Sequence, residues 1–112
     1  MVGDMLHATY QLHSFELGAR QLPLRIATLT VVARAESAAL DWEVVAHTIE
    51  REPVAQAPHQ IAMWSINGVD DDGRLELERF EGEAILVRAV DTALVFRGVG
   101  PLDGFDVASL RG

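Results

Sequence analysis

"HQIAMWSINGVDDDGRLELERF", residues His59–Phe80, is the stretch on which the fold turns. Its two ends alternate apolar and polar residues or carry aromatics, and its middle is rich in Asn, Asp and Gly. That is the pattern of two strands joined by a turn. "HQIAMWSI" reads as one strand, "NGVDDDG" as the bend and "RLELERF" as the return, with Leu75 and Leu77 expected inside and Glu76 and Glu78 outside. The three aspartates also invite a calcium reading. A calcium-binding helix–loop–helix needs carboxylates at loop positions one, three and five, glycine at six and glutamate at twelve. With Gly73 at the sixth position, the first falls on Gly68 and the twelfth on Arg79. A solvated β-turn is therefore expected, and no metal is assigned.

Toward the N-terminus, Leu6, Ala8, Tyr10 and Leu12 alternate with His7, Thr9, Gln11 and His13, the period of a half-buried strand. "GARQ", residues 18–21, turns the chain. Leu22, Leu24 and Ile26 then hold even positions, whereas Leu29, Val31, Ala33 and Ala35 hold odd ones. A strand changes faces only by an extra residue, so a bulge is predicted near Ala27–Thr28. Ser37–Arg51 admits two readings. A helix would be capped by Ser37 and carry Trp42, Val45 and Ile49 on one stripe, with Pro53 beyond its end. A strand would set Leu40, Trp42, Val44 and Ala46 against Asp41, Glu43 and His47. The β-branched Val44, Val45, Thr48 and Ile49 favour the strand. The two prolines of "REPVAQAPHQ", residues 51–60, suggest a surface loop.

Beyond Phe80, Gly82 marks another turn or bulge, and "EAILVRAV" and "ALVFRGV" read as strands. Asp91–Thr92 between them suits a two-residue turn poorly, so a looser connection is expected. The expected fold is one all-β domain over residues 1–112, a small antiparallel barrel or sandwich of roughly six to eight strands. The alternative is α+β, with one helix over residues 37–51 packed on the sheet.

The chain has 112 residues, net charge -8, no cysteine, and arginine as its only basic side chain apart from histidine. Such a chain repels phosphate backbones and anionic membranes unless arginines cluster, and they do not, so neither nucleic acid nor membrane is an expected partner. "MVGDMLHATY" lacks the basic and apolar regions of a secretory signal, and the longest apolar runs fall far short of the ~20 residues of a membrane span. A cytoplasmic setting is expected.

Catalytic constellations are not evident. His7 and His13 share a strand face but stand about 20 Å apart, too far for one metal ion. "GVGPLDG", residues 98–104, lacks the third glycine of a dinucleotide loop, so no cofactor is expected. No serine sits in a nucleophile elbow. Glu76 and Glu78 form a pair only on a face expected to be solvated, without the raised pKa that acid catalysis needs. Trp42 and Trp64 are expected in the core. The chain is therefore read as leaning away from an enzyme.

One pattern needs more than one molecule. "IAMWSI" sets Ile61 and Met63 against Ala62, Trp64 and Ile66, and "AILVRAV" sets Leu86 and Val90 against Ile85, Val87 and Ala89. Strands apolar on both sides need two covers, and a barrel interior supplies one. The sequence thus suggests a non-enzymatic domain acting by protein association, as a homo-oligomeric assembly subunit or an adaptor for another protein. Ile61, Met63, Trp64, Ile85 and Val87 are the candidate contact residues. Two-fold symmetry, burying about 800 Å² per subunit, is the expected arrangement. The alternative is a small-molecule barrel, a carrier or small enzyme, with Tyr10, Trp42, Trp64, His47 and His59 around its pocket.

Overall fold

A computed structural model describes residues 5–34 and 40–112. The strands are β1 (Met5–Leu17), β2 (Arg20–Gln21), β3 (Leu24–Arg34), β4 (Leu40–Thr48), β5 (Pro58–Val69), β6 (Leu75–Val90) and β7 (Ala93–Gly98), followed by a 3-10 turn at Val107–Ser109. All pairings are antiparallel, in the order β2-β1-β3-β4-β7-β6-β5. β1 also pairs with β5, Leu17 opposite Ile61 and Leu12 opposite Ser65, so the sheet closes on itself. Closure makes a barrel and removes most of the open strand edge that a flat sheet would present. Among the described residues no helix is long and apolar enough to cross a membrane.

Alternation sets the interior. Ala27, Leu29 and Val31 of β3 point inward, with Trp42, Val44 and Ala46 of β4, Ile61 and Met63 of β5, Phe80, Ala84 and Leu86 of β6, and Leu94 and Phe96 of β7. Phe15 of β1 meets Phe96 with ring centroids 5.3 Å apart, across the middle of the barrel. Thr48 and Ser65 are the buried polar side chains. The Thr48 hydroxyl donates to the Glu50 carbonyl, and that of Ser65 to Glu78 O at 3.4 Å, so neither is left unsatisfied.

Both barrel ends are covered by chain. β4 and β5 stand on opposite sides of the ring, so residues 49–57 must cross one end to join them. Val54 packs there against the core, and Arg20 pairs with Glu52 and donates to Pro53 O at 3.1 Å. The other end is closed by the segment after β7. Its Leu102 is buried, Phe105 and Leu110 pack beneath, and backbone bridges tie Asp103 to Glu81 and Arg111 to His7. Trp42 donates its indole N–H to Gly100 O at 2.9 Å.

Several sequence expectations change. Leu40–Thr48 is a strand, so the helix alternative is overturned; Ser37, its proposed cap, lies outside the described residues. A strand at this place satisfies its neighbours on both sides, β3 and β7, which a helix cannot do. The kink of β3 falls between Leu24 and Ile26, earlier than predicted, and it turns Ile26 outward. Asp91–Thr92 is a tight two-residue turn after all, because Asp91 adopts φ 54°, a conformation its short polar side chain tolerates. Trp64 faces outward. Leu75 and Leu77 are exposed, at 47% and 42%, while Glu78 shares the inward parity of Phe80. The inner face of β6 is carried by Phe80, Gly82, Ala84 and Leu86, and small residues there hid its parity from the sequence.

Candidate interaction surface

β5 and β6 run on beyond their pairing with β1 and β7. β1 leaves β5 at Ser65, beyond which Ile66–Val69 pairs only with Leu75–Leu77. The result is a two-stranded arm beside the end that the C-terminal segment closes. Its tip is built by Asp70, whose Oδ1 accepts the backbone N–H groups of Asp72 and Arg74, each at 2.9 Å. Gly73 supplies φ 81°, and its N–H donates to Asp70 O at 3.0 Å. The first of the three aspartates thus makes the turn, as an Asx side chain does.

The arm is amphipathic in an unexpected sense. Trp64 opposite Arg79, Ile66 opposite Leu77 and Val69 opposite Leu75 lie on its outer face. Glu76 and Glu78 lie on the face turned toward the barrel axis. Arg79 stacks its guanidinium 5.3 Å from the Trp64 ring, at the root of the arm. Among the described residues, the apolar side is therefore the one left exposed at Val69, Leu75 and Leu77. A shift of register between Ile66 and Gly68 keeps Val69 on that side.

A second apolar area lies on the barrel wall, around β4 and β7. Thr28, Val45, Val95 and Arg88 form one cross-strand row, and Ile26, His47, Ala93 and Val90 form the next. Val87 is exposed beside them at the irregularity of β6. These rows lie toward the end crossed by residues 49–57, opposite the end beside which the arm lies.

The candidate contact residues therefore divide. Ile61 and Met63 point into the barrel and are fully buried, so no partner reaches them. Their parity is that of Ser65, the interior parity of β5. Trp64 belongs to the arm. Ile85 is half-buried on the outer wall between Pro58 and Arg97, and Val87 borders the second area. The residues missed from sequence are Val69, Leu75 and Leu77 on the arm, and Ile26, Val45, Val90 and Val95 on the wall. Nothing in the sequence marked the first group, because the outward parity that Leu77 and Ile66 share with Trp64 is set only when the barrel closes.

The candidate pocket residues do not converge. Tyr10 packs against Phe80 and Phe105, with centroids 5.1 and 6.2 Å away, under the C-terminal segment. Trp42 is buried near the same end. His59 sits at the opposite end, where its Nε2 donates to Ala55 O at 2.8 Å. His47 is half-buried on the outer wall. Large side chains, Phe15, Phe80, Phe96 and Met63 among them, occupy the interior between these places. A cleft of about 370 Å³ opens over Thr30, Asp41, Trp42, Glu43 and Arg97, so Trp42 does line a cleft, but without the other candidate pocket residues. Another of about 470 Å³ lies between β1 and the root of the arm, over His7, Tyr10, Asn67, Glu78 and Arg111, so Tyr10 lines a different cleft from Trp42. Comparison with known protein families, curated proteins and solved structures found no match to this chain.

Proposed function

We propose that the protein acts through protein association, as an assembly or adaptor subunit in the cytoplasm, with the outer face of the β5–β6 arm as its principal contact. The observation that carries this reading is the orientation of the arm. Val69, Leu75 and Leu77 are 60%, 47% and 42% exposed on the side facing away from the molecule, while Glu76 and Glu78 face it. An isolated two-stranded ribbon is marginal in water, and one with a bare apolar face is a pairing site. The dimensions agree with this. The surface of 6897 Å² exceeds the roughly 6,100 Å² of a compact monomer of this mass. The radius of gyration of 14.5 Å likewise exceeds the ~13 Å of a compact domain of this length.

Light scattering after size exclusion tests the reading. The wild-type chain is expected to associate with itself at tens of micromolar or to retain a partner, and Leu75→Glu/Leu77→Glu to run as a folded monomer that retains none. A wild-type chain that stays monomeric at high concentration and retains no partner removes the proposal.

A further inference from the structure

We infer that the open edge of β6, Leu75–Glu78, takes up an extended segment of another protein as an added strand, one that alternates basic and apolar side chains. This rests on the association reading above and names the class of partner. The backbone supplies the first argument. Past its ladder with β7, the edge of β6 away from β5 stays occupied for two more steps. Val99 N–H donates to Glu83 O at 2.9 Å, and Glu81 and Asp103 exchange bonds of 3.0 and 2.7 Å. At Gly104, with φ 92°, the closing segment turns away; a Cβ there would stand 2.4 Å from Arg79 O. The exchange at Glu81 fixes the parity of the edge, so Leu75 and Leu77 aim their N–H and C=O groups outward along it. Among the described residues no backbone hydrogen bond reaches them there. An open row of this kind accepts an extended peptide, as it has accepted Asp103. The opposite edge of the arm is blunted, because β5 shifts register between Ile66 and Gly68. Side chains then select the strand that fits. Leu75 and Leu77 stand on one face of the edge and Glu76 and Glu78 on the other, and neither glutamate is ion-paired among the described residues. An added strand alternates in the same way, so it sets basic side chains opposite the glutamates and apolar ones opposite the leucines. A second copy of this edge fits worse. The two-fold pairing centred on Leu77 would set Glu76 opposite Glu78 on both sides of the axis, and like charges directly opposite repel. The net charge of -8 favours a cationic segment in the same sense.

Fluorescence anisotropy with the labelled hexapeptide acetyl-Lys-Val-Lys-Val-Lys-Val-amide tests the site on the full chain. Binding is expected to be about tenfold or more tighter than that of the peptide with Glu for Lys. The Lys-Val peptide N-methylated at its valines keeps charge and apolar groups but loses the donors that face Leu75 and Leu77, and it should weaken by a similar factor. Glu76→Gln/Glu78→Gln should weaken the unmodified peptide likewise. Leu77→Pro removes an outward N–H that β5 does not use, so binding should vanish while the melting temperature stays close to that of the wild type. Should Leu77→Pro fail to fold, Leu75→Pro carries the same test. Hydrogen exchange read by NMR should show the Leu75 and Leu77 amides protected when the peptide is bound. Equal binding of the plain and N-methylated peptides means charge attraction alone and overturns strand addition. Protection of the same amides on concentrating the chain without peptide means that a second copy is the added strand. That overturns the peptide partner and leaves association standing. No peptide binding, with the wild type still associating by light scattering, overturns the edge site alone. No peptide binding by a wild type that is monomeric and partner-free overturns both readings.

Discussion

Trp42 organises the covered end of the barrel from a single position. Its indole lies where side chains of two glycines would be: a Cβ on Gly98 would stand 2.1 Å from Trp42 Cε2, and one on Gly82 would stand 2.9 Å from Cζ2. The ring spans three strands, and its N–H holds Gly100, which starts the closing segment. Trp42→Ala is therefore expected to cost about 3–5 kcal/mol in urea unfolding. Gly98→Ala should cost several kcal/mol alone, by driving the ring out, yet about 1 kcal/mol or less once Trp42 is already alanine. Additive costs in this double-mutant cycle would show that the glycine answers to something other than the ring. The sequence placed Trp42 in the core. It could not show the glycines opposite, because that contact exists only once β4, β6 and β7 are brought together.

At the level of elements, β6 does two jobs with one run of residues. Its second half, Ala84–Val90, is barrel wall beside β7; its first residues, Leu75–Leu77, are arm beside β5 alone. Gly82 reads in the sequence as a turn or bulge, whereas β6 runs through it in regular register opposite Ile61, and nothing in the sequence marks where the barrel stops. An arm that takes part in no barrel pairing should be removable. Replacing residues 66–77 by an Asn-Gly turn is expected to shift the melting temperature by no more than a few degrees while abolishing association. Circular dichroism with light scattering checks both halves, and loss of the folded signal would mean that the arm supports the barrel. β4 shows the reverse case. Its helical stripe and its strand alternation were both present in the sequence, and two waiting strand edges decided between them.

For the whole molecule, closure keeps the interior dry but leaves Ile26, Val87 and Val90 of the outer wall exposed. If the copies cover one another, stability is linked to concentration, because anything that binds only the folded state stabilises it by mass action. The melting temperature of the wild type is expected to rise by several degrees over a hundredfold increase in concentration. That of Leu75→Glu/Leu77→Glu should stay flat. A flat wild-type curve measured by scanning calorimetry would disconnect assembly from folding.

Period-two alternation, the Asp- and Gly-rich turn and the two-sided apolar strands were written in the chain, because strand geometry and turn chemistry are local. They sufficed for an antiparallel all-β domain with more apolar surface than one interior holds. Which parity faces inward was decided only by closure. Phe80, Gly82 and Ala84 take the inward parity of β6, where closure of the barrel seals them from water. That choice carries Leu75 and Leu77 outward and leaves Ile61 and Met63 sealed within. A strand's two faces are equivalent until a second strand is laid against it, so the side that meets water is a property of the assembled sheet.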